Sequence, residues 1–127
     1  MKKKILIFGG TGAIGFSIAK NLKDQGYNPI IIARNEEDLM VKAKEIDCSY
    51  EICDVLEADQ IEELSKKYSE DVIGLAYCVG SINLRPLKIT KDSDFIDSFR
   101  INTLGAINAV QMNLPSLTNN NGSILFF

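Results

Sequence analysis

The chain has 127 residues, 46% of them apolar and 24% charged, which suits one globular domain with a core of its own. A formal net charge of −3 gives no basic field for nucleic acid, and no apolar run is long enough to cross a bilayer. Histidine is absent, which excludes a histidine-containing metal site and a histidine general base.

Lys2-Lys3-Lys4 followed by Ile5-Leu6-Ile7-Phe8 does not read as a signal peptide, because the apolar run is too short and ends in glycines. Those four apolar residues read as the first strand. The stretch that follows, Gly9-Gly10-Thr11-Gly12-Ala13-Ile14-Gly15, organises the rest of the chain. A strand, a glycine turn and a helix in that order begin a dinucleotide-binding βαβ unit. A pyrophosphate must come within hydrogen-bond distance of backbone N–H groups, and a Cβ would stand in the way. Gly9, Thr11, Gly12, Ala13, Ile14 and Gly15 are therefore candidate cofactor contacts, with the first turn of the helix directed at the phosphates.

Apolar Ile14, Ile18 and Leu22 recur at helical spacing, and Gly26 stops a helix running from about Ala13 to Gln25. Ile30-Ile31-Ile32-Ala33 is the second strand. Asn35 is placed to cap a second helix whose first turn carries Glu36, Glu37 and Asp38, with Leu39, Ala43 and Ile46 as its buried stripe. A third strand lies near Tyr50-Glu51-Ile52-Cys53, and Asp54-Val55 closes it. Ala58 to Tyr68 reads as the third helix, with Ile61 and Leu64 inward. Val72 to Cys78 is a fourth strand, with small Gly74 and Ala76 open to a close neighbour. Ser81 to Lys88 reads as loop. A long helix from Thr90, Asp92 or Ser93 reaches toward Leu114, with Phe95, Phe99, Ala106 and Val110 on its inner face and Pro115 kinking or ending it. Asn119-Asn120-Asn121-Gly122 is a turn, and Ser123 to Phe127 begins a fifth strand.

Strands alternating with helices predict an α/β fold: a Rossmann-type, doubly wound parallel sheet in the order 3-2-1-4-5, with residues 1–127 as one domain. Ile5, Ile7, Ile18, Leu22, Ile31, Ile52, Val72 and Leu75 are the expected core. Cys48, Cys53 and Cys78 lack metal-ligand spacing and read as reduced thiols of a cytoplasmic protein.

In this order the residues resemble the short-chain dehydrogenase/reductase family along the whole chain, and the resemblance implies a domain truncated at strand five, without the C-terminal half of the family fold. Gly9, Ala13 and Gly15 fall on its Gly-x-x-x-Gly-x-Gly turn, with alanine at the middle position. Gly9, Gly12 and Gly15 fit equally the Gly-x-x-Gly-x-x-Gly turn of the epimerase-like branch. Leu114-Pro115 resembles the compact branch, which the reading favours. Asp54-Val55 matches the pair that holds the adenine ring. Phe95, Phe99, Asn102 and Gly105 resemble the helix that carries the family's catalytic asparagine, so Asn102 is the candidate catalytic residue. One departure stands out. Relatives carry Asn-Asn-Ala-Gly after the fourth strand, and here Tyr77-Cys78-Val79-Gly80 occupies those positions. Only Gly80 matches, beside the expected nicotinamide ribose.

NAD binders of this type commonly place a carboxylate at the end of the second strand. Here Ala33 stands there and Arg34 follows, with Asn35 beside it. A guanidinium can hold a 2′-phosphate that a carboxylate would repel. The expected cofactor is NADP(H) in preference to NAD(H), and no metal is expected.

The resemblance also implies a Ser and a Tyr-x-x-x-Lys acid/base unit. None of Tyr27, Tyr50, Tyr68 or Tyr77 has a lysine four positions on. The first reading is thus the cofactor-binding portion of an NADP(H)-dependent oxidoreductase acting on a small carbonyl or alcohol, homo-oligomeric at full length, with neither nucleic-acid nor membrane partners. The alternative is a non-catalytic NADP(H)-binding or regulatory module. A methyltransferase fits less well, because a methyl donor has no 2′-phosphate for Arg34.

Overall fold

The structure, a computed structural model, describes residues 3–81 and 84–127. Five strands form one sheet: β1 (Lys4–Phe8), β2 (Pro29–Ala33), β3 (Ser49–Ile52), β4 (Val72–Tyr77) and β5 (Ser123–Phe126). Their order is β3-β2-β1-β4-β5, and every neighbouring pair is parallel. Helices α1 (Ala13–Asp24), α2 (Glu36–Ile46), α3 (Ala58–Lys67), α4 (Asp92–Phe99) and α5 (Gly105–Asn119) connect or cover them. This is the expected Rossmann-type architecture and strand order.

Alternate residues of each strand point to opposite faces, so one sheet supports two cores. Ile7, Ile31 and Ala76 pack with Ala19, Leu39 and Ala43 of α1 and α2. Leu6, Phe8, Ile30, Ile32, Leu75 and Tyr77 pack with Ile61 and Leu64 of α3 and Ala106, Ala109 and Leu117 of α5. Buried on both faces, β1 and β2 read as continuous apolar runs, as inner strands of a parallel sheet do.

Local chemistry sets the helix ends near the site. The α1 terminus forms a two-bond C-cap: Tyr27 N–H bonds to Leu22 O at 2.9 Å and Gly26 N–H to Lys23 O at 3.0 Å, with Gly26 at φ +89°. The Asn35 side chain accepts from Asp38 N–H at 3.1 Å and caps α2, as its position predicts.

Four expectations are corrected. Ile52 is 50% exposed, because β3 is an edge strand with one neighbour. Ile5, Ile18 and Leu22 only flank the α1/α2 core, half-buried. The single long helix is two: a π-turn over Arg100–Leu104 separates α4 from α5. The extra residue of a π-turn rotates everything before it relative to everything after it. Phe95 and Phe99 therefore lose phase with Ala106, and stand 57% and 55% exposed. Finally, of the two readings of Pro115 as a kink or an end, the end is excluded, because α5 continues to Asn119. Pro115 and Gln111, whose carbonyl it leaves without a donor, both face outward where water can serve. Of the loop read over Ser81 to Lys88, residues 82–83 lie outside the described residues, and Leu87–Ile89 form a short 3₁₀ turn.

Candidate functional site

The C-terminal ends of β1, β2, β3 and β4 open into one cleft of about 640 Å³. Its lining includes Gly9, Thr11, Arg34, Asn35, Asp54, Val55 and Gly80, contributed by four separate strand ends. A crevice outside the carboxyl ends of the strands is where open α/β sheets bind ligands.

The glycine turn forms the floor. Gly9 sits at φ +80°, and a Cβ there would lie 2.7 Å from the Cys78 carbonyl. A Cβ at Gly10 would lie 2.6 Å from Ile31 Cβ, and one at Gly15 would collide with Gly9 O. These three positions exclude any side chain. Gly12 has room, its nearest neighbour being Gly9 O at 3.5 Å. Steric need thus falls on Gly9, Gly10 and Gly15, while Gly12 serves as the N-cap of α1 without a side-chain hydrogen bond. The first intrahelical bond runs from Phe16 N–H to Gly12 O at 2.9 Å. The N–H groups of Ala13, Ile14 and Gly15 are the ones the helix leaves over. Gly12, Ala13, Ile14 and Gly15 do not line the cleft.

Asp54 has two tasks. Its Oδ1 accepts from Leu56 N–H at 3.0 Å, and its own N–H donates to Gln60 Oε1 at 2.7 Å. The turn is held by those bonds, and Val55 N–H has no partner among the described residues. One carboxylate oxygen and one backbone N–H side by side are what an adenine edge could use.

Arg34 lies just past β2 at the rim of the cleft, exposed, and forms no ion pair among the described residues. Asp38 lines the cleft close by in sequence. Cys53 is buried in the cleft wall, and burial first, then the Asp54 charge, pushes its thiol up to about 11. It is a poor nucleophile at neutral pH.

Asn102 is exposed and does not line the cleft. Its Oδ1 accepts from Ser81 N–H at 2.9 Å, and its Nδ2 donates to Ser81 O at 2.9 Å and to Ser98 Oγ at 3.1 Å. Gly80 is small where Asn102 passes: a Cβ there would lie 3.2 Å from Asn102 Oδ1. Gly10, Asp38, Leu56, Ser81 and Ile101 also line or shape the site and were not singled out from the sequence. Gly10 had a local signal, being a glycine in the turn. Ser81 and Ile101 had none, because both are brought there by the pairing of Asn102 with the segment after β4.

Among the described residues no cluster of three or more His, Cys, Asp or Glu side chains is placed to hold a metal ion, and no helix is long and apolar enough to cross a membrane.

Known proteins resemble this chain as follows. The family model described as short chain dehydrogenase matches residues 3–127. Carbonyl reductase family member 4 of Xenopus tropicalis is 26% identical over 98% of the chain and 55% of its own length. The chain thus spans about half the length of the curated relatives it matches. The structure of an alcohol dehydrogenase from the archaeon Thermococcus sibiricus complexed with 5-hydroxy-NADP superposes with a TM-score of 0.90 at 24% identity, covering 99% of this chain and 57% of that one. Actinorhodin polyketide ketoreductase with NADPH superposes with a TM-score of 0.88 at 24% identity, covering 98% and 52%.

Proposed function

The chain belongs to the short-chain dehydrogenase family, and from that premise we propose that it is the cofactor-holding portion of an NADP(H)-dependent oxidoreductase acting on a carbonyl or alcohol. The observation that carries the choice of cofactor is Arg34. It faces the cleft without an ion-pair partner among the described residues, and Ala33 stands where a carboxylate would repel a phosphate. The residues fit a dinucleotide on steric grounds too, since Gly9, Gly10 and Gly15 keep side chains out of the space beside the backbone.

In this reading the leftover N–H groups of Ala13, Ile14 and Gly15 hold the pyrophosphate, with Thr11 and Gly12 at its side. Arg34 and Asn35 hold the 2′-phosphate. Asp54 and Val55 hold the adenine edge, and Gly80 lets the nicotinamide ribose approach. When bound, the nicotinamide supplies or accepts the hydride; the chain's own residues bind and orient. Asn102 is the proposed catalytic-site asparagine. Its carboxamide is committed to Ser81 and Ser98, so a relay water would be ordered by its main-chain carbonyl or the second Oδ1 lone pair.

The proposal extends to a cytoplasmic homo-oligomer. Three free thiols favour a reducing compartment, and exposed Phe95, Phe99, Ile107 and Leu114 leave an apolar face for association.

Titrating NADPH and NADH against the protein and Arg34→Ala tests the cofactor. Charged hydrogen bonds are worth about 1.5–3 kcal/mol, so NADPH binding should weaken roughly 10- to 150-fold, with NADH nearly unchanged. Equal losses for both would make Arg34 structural. NADPH binding in a full-length protein that never turns over any carbonyl would favour the non-catalytic module.

A further inference from the structure

Tyr77 ends β4 on the face covered by α3 and α5 and is 1% exposed. A buried phenol needs a hydrogen-bond partner. Its hydroxyl donates to Ile101 O at 2.6 Å, while the ring lies 6.1 Å from that of Phe8. Ile101 belongs to the π-turn. There the Gly105 N–H bonds to Arg100 O, five residues back. A regular helix would have given that donor to Ile101 O, four residues back. The Tyr77 hydroxyl supplies Ile101 with a donor in its place. Gly105 completes the fit: a Cβ there would collide with Tyr77 Oη, and it would lie 3.3 Å from both Arg100 O and Val55 Cβ.

The next residue along the π-turn is Asn102, paired in both directions with the Ser81 backbone. Ser81 follows Tyr77 by four positions. The segment leaving β4 therefore grips the π-turn at two points. The phenol holds Ile101 from within the core, and Ser81 holds Asn102 nearer the surface. Ser81 and Ile101 both line the cleft, so the grip sets the shape of the wall they form.

We propose that Tyr77 is a positioning residue: its hydroxyl, seated against Gly105, holds the π-turn so that Asn102 stays locked onto Ser81, which lines the cleft. The functional consequence rests on the cofactor reading above, but the grip itself needs no cofactor to be measured. A phenol is required because a shorter side chain at position 77 would end inside the core, short of Ile101.

Residue-resolved hydrogen exchange on the cofactor-free protein tests it. Tyr77→Phe removes one oxygen and little volume. Exchange at Ser81 N–H should accelerate about 3- to 10-fold, the range expected for one neutral hydrogen bond, and the Asn102 Nδ2 protons should shift. Amides of Ile7 and Ile31, in the other core, should keep their protection within about twofold. Uniform loss of protection, or none at Ser81, overturns the proposal. Gly105→Ala approaches from the other side. It should loosen Ser81 and Asn102 by itself, and added to Tyr77→Phe it should bring little further loosening, because the oxygen the methyl would displace is already gone. Losses that simply add in the double variant overturn the proposal as well. NADPH titration is a separate measurement, so a failed cofactor reading would leave the exchange result standing.

Discussion

β2 and β5 are both short, apolar, parallel strands paired in register with β-neighbours. Pro-Ile-Ile-Ile of β2 is wholly buried, whereas Ser-Ile-Leu-Phe of β5 is exposed throughout, with Phe126 at 58%. Backbone pairing makes a strand; cover on both faces makes a core. β2 has a strand on each side and helices over it. β5 has β4 on one side and little over its faces. The helices repeat the lesson. Leu39 of α2 is fully buried, while Phe95 of α4 lies in the open. Apolar composition is necessary for burial, and coverage by distant parts of the chain decides it.

The comparison breaks most directly at matched positions. Ile31→Ala in β2 should cost about 2–5 kcal/mol, through lost transfer energy and an unfilled cavity. Leu125→Ala in β5 should cost under about 1 kcal/mol. Urea denaturation of both variants measures it, and equal losses would mean that β5 is covered in solution.

Titration offers a second contrast. Burial, then the neighbouring Cys53, pushes Tyr77 up to about 12, and Cys53 stands at about 11. Both hold their protons more tightly folded than unfolded. Their stabilisation is complete below pH 9 and is lost as pH rises through about 11 and 12. Denaturation midpoints should fall steeply across that range. β5 carries no ionisable side chain, so Leu125→Ala should leave the profile's shape alone, whereas Tyr77→Phe should flatten its upper end.

A smaller effect is expected at the rim of the cleft. Asn35→Ala removes the α2 cap and should cost about 1 kcal/mol, read as a shift in the urea midpoint. The smallest change in stability, with the clearest change in behaviour, should follow Leu125→Lys. A charge on an exposed edge strand blocks pairing with other chains. Stability should move by less than about 0.5 kcal/mol, while size-exclusion chromatography should show less self-association. An unchanged elution profile would place any association elsewhere, on the exposed face of α4 and α5.

Much of the site was legible along the chain. The glycine turn, the Gly26 stop and the Asn35 cap are each written within a few residues, because φ > 0, a missing Cβ and a capping oxygen act locally. Arg34 could be placed because a strand ending and a capped helix beginning leave one position between them. The distant pairings were not legible. Along the chain Asn120 reads only as part of a turn. In the structure its Nδ2 donates to Glu70 O at 3.0 Å, Val72 O at 3.3 Å and Ser116 O at 2.8 Å, tying the end of α5 to the start of β4.

The sequence by itself determined the five strands, the first three helices, the order of the sheet and the turn that faces the cleft. Periodicity, caps and glycines are short-range, and parallel connections leave few ways to arrange the strands they join. Only the tertiary structure decided that the long helix breaks at Arg100–Leu104, that Phe95 and Phe99 face outward, and that Asn102 spends its carboxamide on Ser81. The physical reason is that a π-turn is stabilised by a partner its own segment does not contain. Its donor comes from Tyr77, on a strand 24 residues away, and no local pattern around Ile101 encodes it.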